Sequence, residues 1–360
     1  MALSPKVAVG ISIFGVIVAL IAFGIHRSQQ SHSRGDDTTF GISPDGRRIV
    51  FDGRGVGDRD LYIFDLNTKK VSPVQTTVDY ETAPQFSPDG KSIVYANGQP
   101  GIRADHLFVR NLESGAVRQV TFGDANACSP MFTADGKRIV FARDTHYNWG
   151  GLAASWSGGG AVWSVGVDGS RQTRLLPESV LTASPRISHD GKSLVWWGMS
   201  KDLNSSSVFT SPVNSTSDPV SIVSGYPRDV EFSPLGDQVV YADGEFGGTG
   251  KLCVIPVRGG APRMLSAAGK GCTHPVFSPD GRMIYYLLNG YDDNKNGLWK
   301  IDTDGKNPTK IAGHNLFDSP LTWSPGPISQ SISVRPTNSH RNYTDKRYES
   351  RGHDADVKKR

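Results

Sequence analysis

One short turn sequence recurs along this chain and limits what it can fold into. Six strings consist of an apolar residue followed by Ser-Pro-Asp-Gly or a close variant, and their glycines lie 44, 46, 55, 45 and 45 residues apart. In such a turn Pro presets the first corner, Asp bonds its own backbone and Gly accepts a positive φ. A turn repeated at a nearly fixed period indicates an array of similar structural units. The strings begin at Ile42, Phe86, Phe132, Ile187, Phe232 and Phe277.

Segments of strand character surround each turn. A run rich in β-branched and aromatic residues follows it directly, such as RRIVF at 47–51. A third strand comes next, as in LYIFDL at 61–66, and then a short fourth, as in VRQVT at 117–121. Four strands in a repeat of about 45 residues are typical of a propeller blade. The sequence therefore predicts an all-β fold, a six-bladed β-propeller of four-stranded blades over residues 38–325. A seventh, partial string at 323–326 leaves open how the ring closes.

The net charge of +4 is located at the C-terminal end of the chain. Residues 331–360 contain eight Lys or Arg and four Asp or Glu, so residues 1–330 sum to zero. A propeller body without net basic charge lacks the field that attracts nucleic acid, and we expect no nucleic-acid partner. Residues 326–360 are polar with almost no apolar periodicity, which predicts a disordered basic tail.

An apolar segment precedes the repeats. Residues 7–25 contain no charged side chain, and as a helix they would span about 28 Å, close to the hydrocarbon core of a bilayer. The segment predicts a transmembrane signal anchor, with residues 1–6 as a cytoplasmic stub and 26–37 as a linker. A cleaved signal peptide is the alternative, since Ala22 and Gly24 are small residues at suitable positions. Both interpretations export the propeller.

The repeated strings, Phe86–Gly90 and Phe277–Gly281 among them, resemble the β-propeller repeats of the TolB-like family. The resemblance covers residues 38–325, and the small N-terminal domain of that family has no counterpart in this sequence. It implies a periplasmic or cell-envelope propeller that binds an envelope protein, or a peptide or glycan ligand, often through its channel mouth.

Residues near the start of the inner strands are the first candidates for a binding site, because they lie near one mouth of a propeller channel. Their mixed charge suits a polar or peptide ligand, and the alternative is solvated loop charge and pairing between blades. A single histidine in this set does not favour a catalytic metal site. The set contains Glu81, Arg186, Arg228, Asp229, Glu231 and His274.

Two loops supply further candidates. The insertion at 144–162 carries Tyr147, Trp149 and Trp156, which form either a binding surface or a contact with the blade edge. In the string 292–297, oxygen side chains at the first, third and fifth positions followed by Gly resemble the start of a calcium loop. These three are Asp292, Asn294 and Asn296. The twelfth position lacks the bidentate Glu, and a plain turn explains the string equally well. We expect no cofactor other than this calcium.

Enzyme and metal motifs are absent from the sequence. It contains no GxSxG, no P-loop and no GxGxxG string. Its cysteines, Cys128, Cys253 and Cys272, form no CxxC pair, and the last two either form a disulfide or are buried as small apolar side chains. The function predicted is a non-enzymatic binding or scaffold module, tethered to the membrane on its extracytoplasmic side. The alternative is a propeller carbohydrate lyase or hydrolase that acts at the channel mouth.

Overall fold

The computed structural model of the protein describes residues 38–55, 59–98, 105–144, 161–176, 182–199, 206–244, 250–265, 271–289, 294–318 and 320. All of them belong to one compact unit, residues 1–324. A second unit, residues 325–360, lies outside the described residues, so the predicted disordered tail stays a prediction.

The described residues form six antiparallel sheets of four strands, each with its strands in chain order. Blade 1 contains β1 (Phe40–Ile42), β2 (Arg48–Gly53), β3 (Asp60–Asp65) and β4 (Val71–Gln75). Blade 2 contains β5 (Tyr80–Phe86), β6 (Ser92–Gly98), β7 (His106–Asn111) and β8 (Val117–Gln119). Blade 3 contains β9 (Asn126–Phe132), β10 (Arg138–Asp144), β11 (Ala161–Gly166) and β12 (Thr173–Arg174). Blade 4 contains β13 (Ala183–Ile187), β14 (Ser193–Met199), β15 (Ser206–Pro212) and β16 (Val220–Gly225). Blade 5 contains β17 (Pro227–Phe232), β18 (Gln238–Asp243), β19 (Lys251–Pro256) and β20 (Arg263–Met264). Blade 6 contains β21 (Cys272–Phe277), β22 (Met283–Leu288), β23 (Gly297–Asp302) and β24 (Thr309–Gly313), and a short helix α1 (Asn315–Asp318) follows it.

The repeated turn joins the first and second strands of each blade, as its residues predict. In blade 2 the Ser87 hydroxyl donates to Asp89 Oδ1 over 2.6 Å, and Gly90 N donates to Ser87 O over 2.8 Å. Gly90 has φ of 68°, a left-handed conformation that glycine adopts without strain. The bond from Ser87 is the main reason why the pKa of Asp89 lies below its ordinary value.

The same turn also connects neighbouring blades. A Cβ built on Gly90 would lie 3.5 Å from Pro44 Cδ of the preceding blade, and one built on Gly136 would lie 3.7 Å from Pro88 Cδ. A Cβ built on Gly46 would lie 3.8 Å from a proline Cδ of blade 6, Pro279. Each turn proline at these seams therefore packs on the next turn glycine, and the contact between blades 6 and 1 closes the ring.

Apolar side chains fill the spaces between blades. One cluster joins Phe51 of blade 1 to Leu287 of blade 6, and it includes Phe317 of α1. The rings of Phe51 and Phe317 meet edge to face with centroids 5.2 Å apart, and Arg54 N donates to Phe317 O over 2.9 Å. Blade 1 and blade 6 each keep their own four strands. Within the part of the chain that the structure describes, the ring is thus closed by side-chain packing and this backbone hydrogen bond, with no strand shared between the two blades.

The predicted six-bladed, all-β fold is confirmed. No helix among the described residues is long and apolar enough to cross a membrane. The proposed anchor at 7–25 lies outside those residues, so the structure gives it no support.

Of the two alternatives for the last two cysteines, burial as small apolar side chains is the one that the structure shows. Cys253 and Cys272 are buried thiols and form no disulfide with each other. Burial raises the pKa of the Cys272 thiol to about 12.

We expect Phe317→Ala to lower the free energy of unfolding by about 3–5 kcal/mol, because it removes a fully buried aromatic ring at the closing seam. Chemical denaturation would measure this. Phe122→Ala is the matched control, since the Phe122 side chain is 59% exposed. An equal loss in both variants would show that α1 does not stabilise the closure.

Gly90→Val should cost about 1–3 kcal/mol, because a β-branched residue resists the left-handed φ of this turn. Gly90→Asn should cost less, since Asn tolerates that conformation. Melting temperatures of the two variants would test the order, and a valine variant as stable as the asparagine variant would contradict it.

Candidate functional site

The inner strands of five blades share an irregularity that the sequence reasoning missed. Near the start of each of them, the pairing with the second strand shifts at a β-bulge. One non-glycine residue in each bulge has a left-handed φ, between 47° and 53°. We call these five the bulge residues, and the part of the inner strands that contains them, away from the repeated turn, the bulge end. They are Ala83, Ser129, Ser184, Asp229 and His274.

A signal for these bulges is present in the sequence. Proline follows the bulge residue in four of the five blades, at Pro84, Pro130, Pro185 and Pro275. Because Pro cannot donate to a strand ladder, within a strand it is confined to edges and bulges. Blade 1 is different, since Thr39 precedes its inner strand and donates its N–H to Asp52 Oδ1 over 2.7 Å.

Two of the predicted site residues meet across the seam between blades 5 and 6. The backbone N–H of His274 donates to Asp229 Oδ2 over 3.1 Å, and His274 Nδ1 lies 3.8 Å from the same oxygen. Both side chains remain partly exposed. The bulges therefore place a carboxylate and an imidazole side by side on the inner strands of neighbouring blades.

A second pair lies two residues further along the inner strands. Arg186 Nε of blade 4 donates to Glu231 Oε2 of blade 5 over 2.7 Å, and Phe232 N donates to Glu231 Oε1 over 3.1 Å. Burial raises the pKa of Glu231, and the Arg186 charge opposes that shift. The sequence analysis gave charge pairing between blades as the alternative to ligand binding, and Arg186 and Glu231 do form such a pair. Both side chains nevertheless remain partly exposed.

At the bulge position and two residues further along each inner strand, the charged residues lie in blades 4 to 6. Blades 4 to 6 carry the two pairs described above, which we call the charged arc: Arg186, Glu231, Asp229 and His274. At the corresponding positions of blades 1 to 3, the side chains are uncharged or absent. Those positions are Thr39, Gly41, Ala83, Gln85, Ser129 and Met131.

Glu81 does not join the charged arc. It is fully buried and packs toward blade 1, where Thr77 Oγ1 donates to its Oε1 and its own N–H donates to Arg59 O over 3.1 Å. Its Oε2 has no hydrogen-bond partner. Burial, reinforced by the negative charges of Asp60 and Asp79, raises the pKa of Glu81 to about 7.

Arg228 is also largely buried, and its guanidinium lies close to Gly250 within its own blade. It does not extend the exposed part of the charged arc.

The two loop candidates are only partly covered by the structure. Tyr147, Trp149, Trp156 and Asp292 lie outside the described residues. In the suspected calcium loop, Lys310 Nζ donates to Asn294 O over 2.6 Å. A calcium ion bound there would be repelled by the Lys310 ammonium group. Calcium binding by Asn294 and Asn296 stays a prediction.

We expect the stability of the protein to depend on pH through Glu81. Its folded-state pKa of about 7 exceeds the ordinary value of 4.5, so its contribution is complete below pH 4.5 and is lost as the pH rises through 7. In Glu81→Gln this dependence should disappear. Unfolding free energies of both proteins from pH 4.5 to 8 would measure it, with the surface variant Glu113→Gln as the matched control. Parallel profiles for wild type and Glu81→Gln would contradict the expectation.

Comparison with known proteins agrees with this architecture. A family model described as the TolB beta propeller domain matches residues 16–156. The chain is 25% identical over 244 residues to the Tol-Pal system protein TolB of Francisella tularensis subsp. mediasiatica, covering 66% of this chain and 53% of that protein. The chain thus spans about half the length of the curated relatives it matches.

Solved structures give the same fold. The crystal structure of TolB from Acinetobacter baumannii has a TM-score of 0.58 at 20% identity, over 73% of this chain and 63% of that chain. An oligogalacturonate lyase in complex with manganese has a TM-score of 0.57 at 16% identity, over 78% of this chain and 80% of that chain. At such identities the likeness concerns the fold alone. The repeated turns and the six four-stranded blades show a β-propeller, and in part of its sequence and in its fold this propeller is similar to that of TolB.

Proposed function

We propose that this chain is a protein-binding module of the cell envelope that takes its partner at the bulge end of the inner strands. The observation that carries the proposal is the left-handed backbone repeated at one position of five inner strands. Such a conformation costs about 1–3 kcal/mol at a non-glycine residue, and strain of this kind clusters where side chains are positioned for function. A bulge re-aims a side chain out of the regular strand pattern.

The charged arc supports a polar partner. Arg186 and Glu231 offer donors and acceptors next to each other, and Asp229 with His274 offers a second such group. A peptide segment suits this arrangement, because its backbone and side chains supply both kinds of hydrogen-bonding group. The small bulge residues Ala83 and Ser129 on the other side leave room for its bulk.

The relatives support an envelope location. Curated proteins that are similar to this chain in sequence are named as the TolB protein of the Tol-Pal system. For this chain we infer an envelope protein as the partner and a propeller on the periplasmic side. Tethering through residues 7–25 belongs to the same proposal and rests on the apolar run in the sequence.

The alternative is a propeller enzyme, such as a carbohydrate lyase, that uses His274 as a base or metal ligand. Across the ranges that the structure describes, no three His, Cys, Asp or Glu side chains are grouped as a metal site. The bulges and the charged arc are the observations that favour binding over this alternative.

Site-specific crosslinking in intact cells would test the proposal. A photo-crosslinking aromatic residue placed at Ala83, Ser129 or Ser184 should capture the same envelope protein from all three positions. Each of these residues already carries a Cβ, so the substitution keeps the backbone conformation. Val220 is the control position, because it is exposed on the outermost strand of blade 4.

Two outcomes would contradict the proposal. One is capture of no reproducible partner from the bulge positions, or of the same proteins from Val220. The other is stoichiometric manganese on the purified protein that is lost in His274→Ala, since this would favour the enzyme.

A further inference from the structure

The repeated turns at the other end of the inner strands are irregular in three consecutive blades. Ala134 replaces the proline in blade 3, His189 replaces it in blade 4, and Leu235 replaces the aspartate in blade 5. Blades 6, 1 and 2 keep the full Ser-Pro-Asp-Gly sequence. The departures therefore form one continuous stretch of the ring, which we call the irregular arc.

The seam between blades 3 and 4 is open at the level of the turns. A Cβ built on Gly191 would meet no heavy atom within 4 Å, because Ala134 lacks the ring that Pro44 places near Gly90. A cavity of about 650 Å³ lies at this seam. Apolar side chains and turn residues line it together, among them Val140, Leu175, Ile187, Asp135, His189 and Asp190.

Cavity volume alone does not distinguish this seam. A second cavity of about 650 Å³ lies between blades 2 and 3, and Pro88 and Gly136 both line it. There the proline still packs on the glycine, with 3.7 Å from Pro88 Cδ to a Cβ built on Gly136. What sets the seam between blades 3 and 4 apart is the unfilled space over Gly191.

Leu235 continues the irregular arc into blade 5. Its side chain is 89% exposed, the largest exposure among the large apolar side chains described. Its neighbour Gly236 packs toward blade 4, since a Cβ built there would lie 3.6 Å from Ser188 Cβ. The exposed leucine is therefore next to the blade-4 turn that forms the rim of the open seam.

The charge beside the turn of blade 5 also differs from the charge beside the turns of the other blades. Asp237 accepts the hydroxyl of Ser233 over 2.8 Å and so replaces the missing turn aspartate. In the other blades the residue after the turn glycine is basic: Arg47, Lys91, Lys137, Lys192 or Arg282. Blade 5 thus presents a carboxylate beside an exposed leucine where its neighbours present a cation.

We propose that the irregular arc binds an extended, basic peptide segment of a partner protein. A proline or a similarly small apolar residue of that segment enters the open seam over Gly191, and a Lys or Arg pairs with Asp237 beside Leu235. The regular seams support the entry of a proline over Gly191, because the pyrrolidine ring of a turn proline occupies the corresponding space in those seams.

Asp135 and Asp190 lie at the rim of the seam with Lys137 and Lys192 beside them, so the charge that favours a basic segment is that of Asp237 in blade 5. The hydroxyls of Thr133 and Ser188 are the main cause of the lowered pKa values of Asp135 and Asp190, so both carboxylates are ionised at neutral pH. The arginine of the lining, Arg138, is already engaged, since its guanidinium donates to Ser164 Oγ over 2.9 Å and to Arg171 O over 2.7 Å.

Saturation-transfer NMR on the full-length protein would test this site, with the peptide acetyl-Ala-Pro-Leu-Lys-amide as the probe. The proline ring protons should receive the strongest saturation, with a dissociation constant on the order of 1 mM. Replacing Lys by Glu in the peptide should weaken binding by about fivefold or more, because it reverses the pairing with Asp237.

Two variants that restore the regular turn make the test specific. Ala134→Pro fills the open seam and Leu235→Asp removes the apolar contact, and each should weaken binding by about tenfold or more. Thermal melting would verify that both remain folded, as expected for residues the other blades already use at these positions. Val78→Ala, whose side chain is 75% exposed in the connection between blades 1 and 2, is the control and should bind the peptide like wild type. Absence of saturation transfer in wild type, or equal binding by wild type and Ala134→Pro, would overturn the proposal.

Discussion

A propeller blade has two broad apolar faces, and the packing of each face on a neighbouring blade is the interaction on which the rest of this structure depends. Val94 and Ala96 of blade 2, for example, share one cluster with Ile139 and Phe141 of blade 3. Burial of this kind contributes about 25 cal/mol for each Å² of apolar surface removed from water. Because the blades pack through their faces, the residues at the strand ends contribute little to the packing between blades.

Variation in sequence is concentrated at those strand ends. At the bulge end, blades 4 to 6 carry charged pairs where the other blades have small or uncharged residues. At the turn end, blades 3 to 5 lose elements of the repeated turn. The two sets overlap in blades 4 and 5, while the buried faces of these blades keep the apolar pattern of the others. The ring thus combines a uniform scaffold with two different surfaces at its ends.

Much of the fold could be predicted from the sequence because its determinants are local. The turn residues and the strand patterns of each repeat specify a blade without reference to distant residues. The bulges were missed although Pro84 and its equivalents indicate them, because the strand pattern alone does not reveal a shift in register.

The site was harder to predict because it depends on contacts between blades. Glu81 belongs to the same strand as Ala83, yet its side chain is buried against blade 1, and the sequence of blade 2 does not contain that information. The open seam depends on residues in two repeats, Ala134 and Gly191, that are each unremarkable alone. Repeat comparison identifies such positions only when the residue that normally fills the space is known.

The closure of the ring by side chains has a consequence for how the blades share stability. Linear repeat arrays need terminal repeats with polar outer faces, because the outermost units lack one neighbour. Here blade 1 packs on blade 6 through the cluster around Phe51 and Phe317, so each of the blades has two neighbours. No blade serves as a cap. A circularly permuted chain that begins at blade 2 and ends with blade 1 would therefore retain every interface between blades.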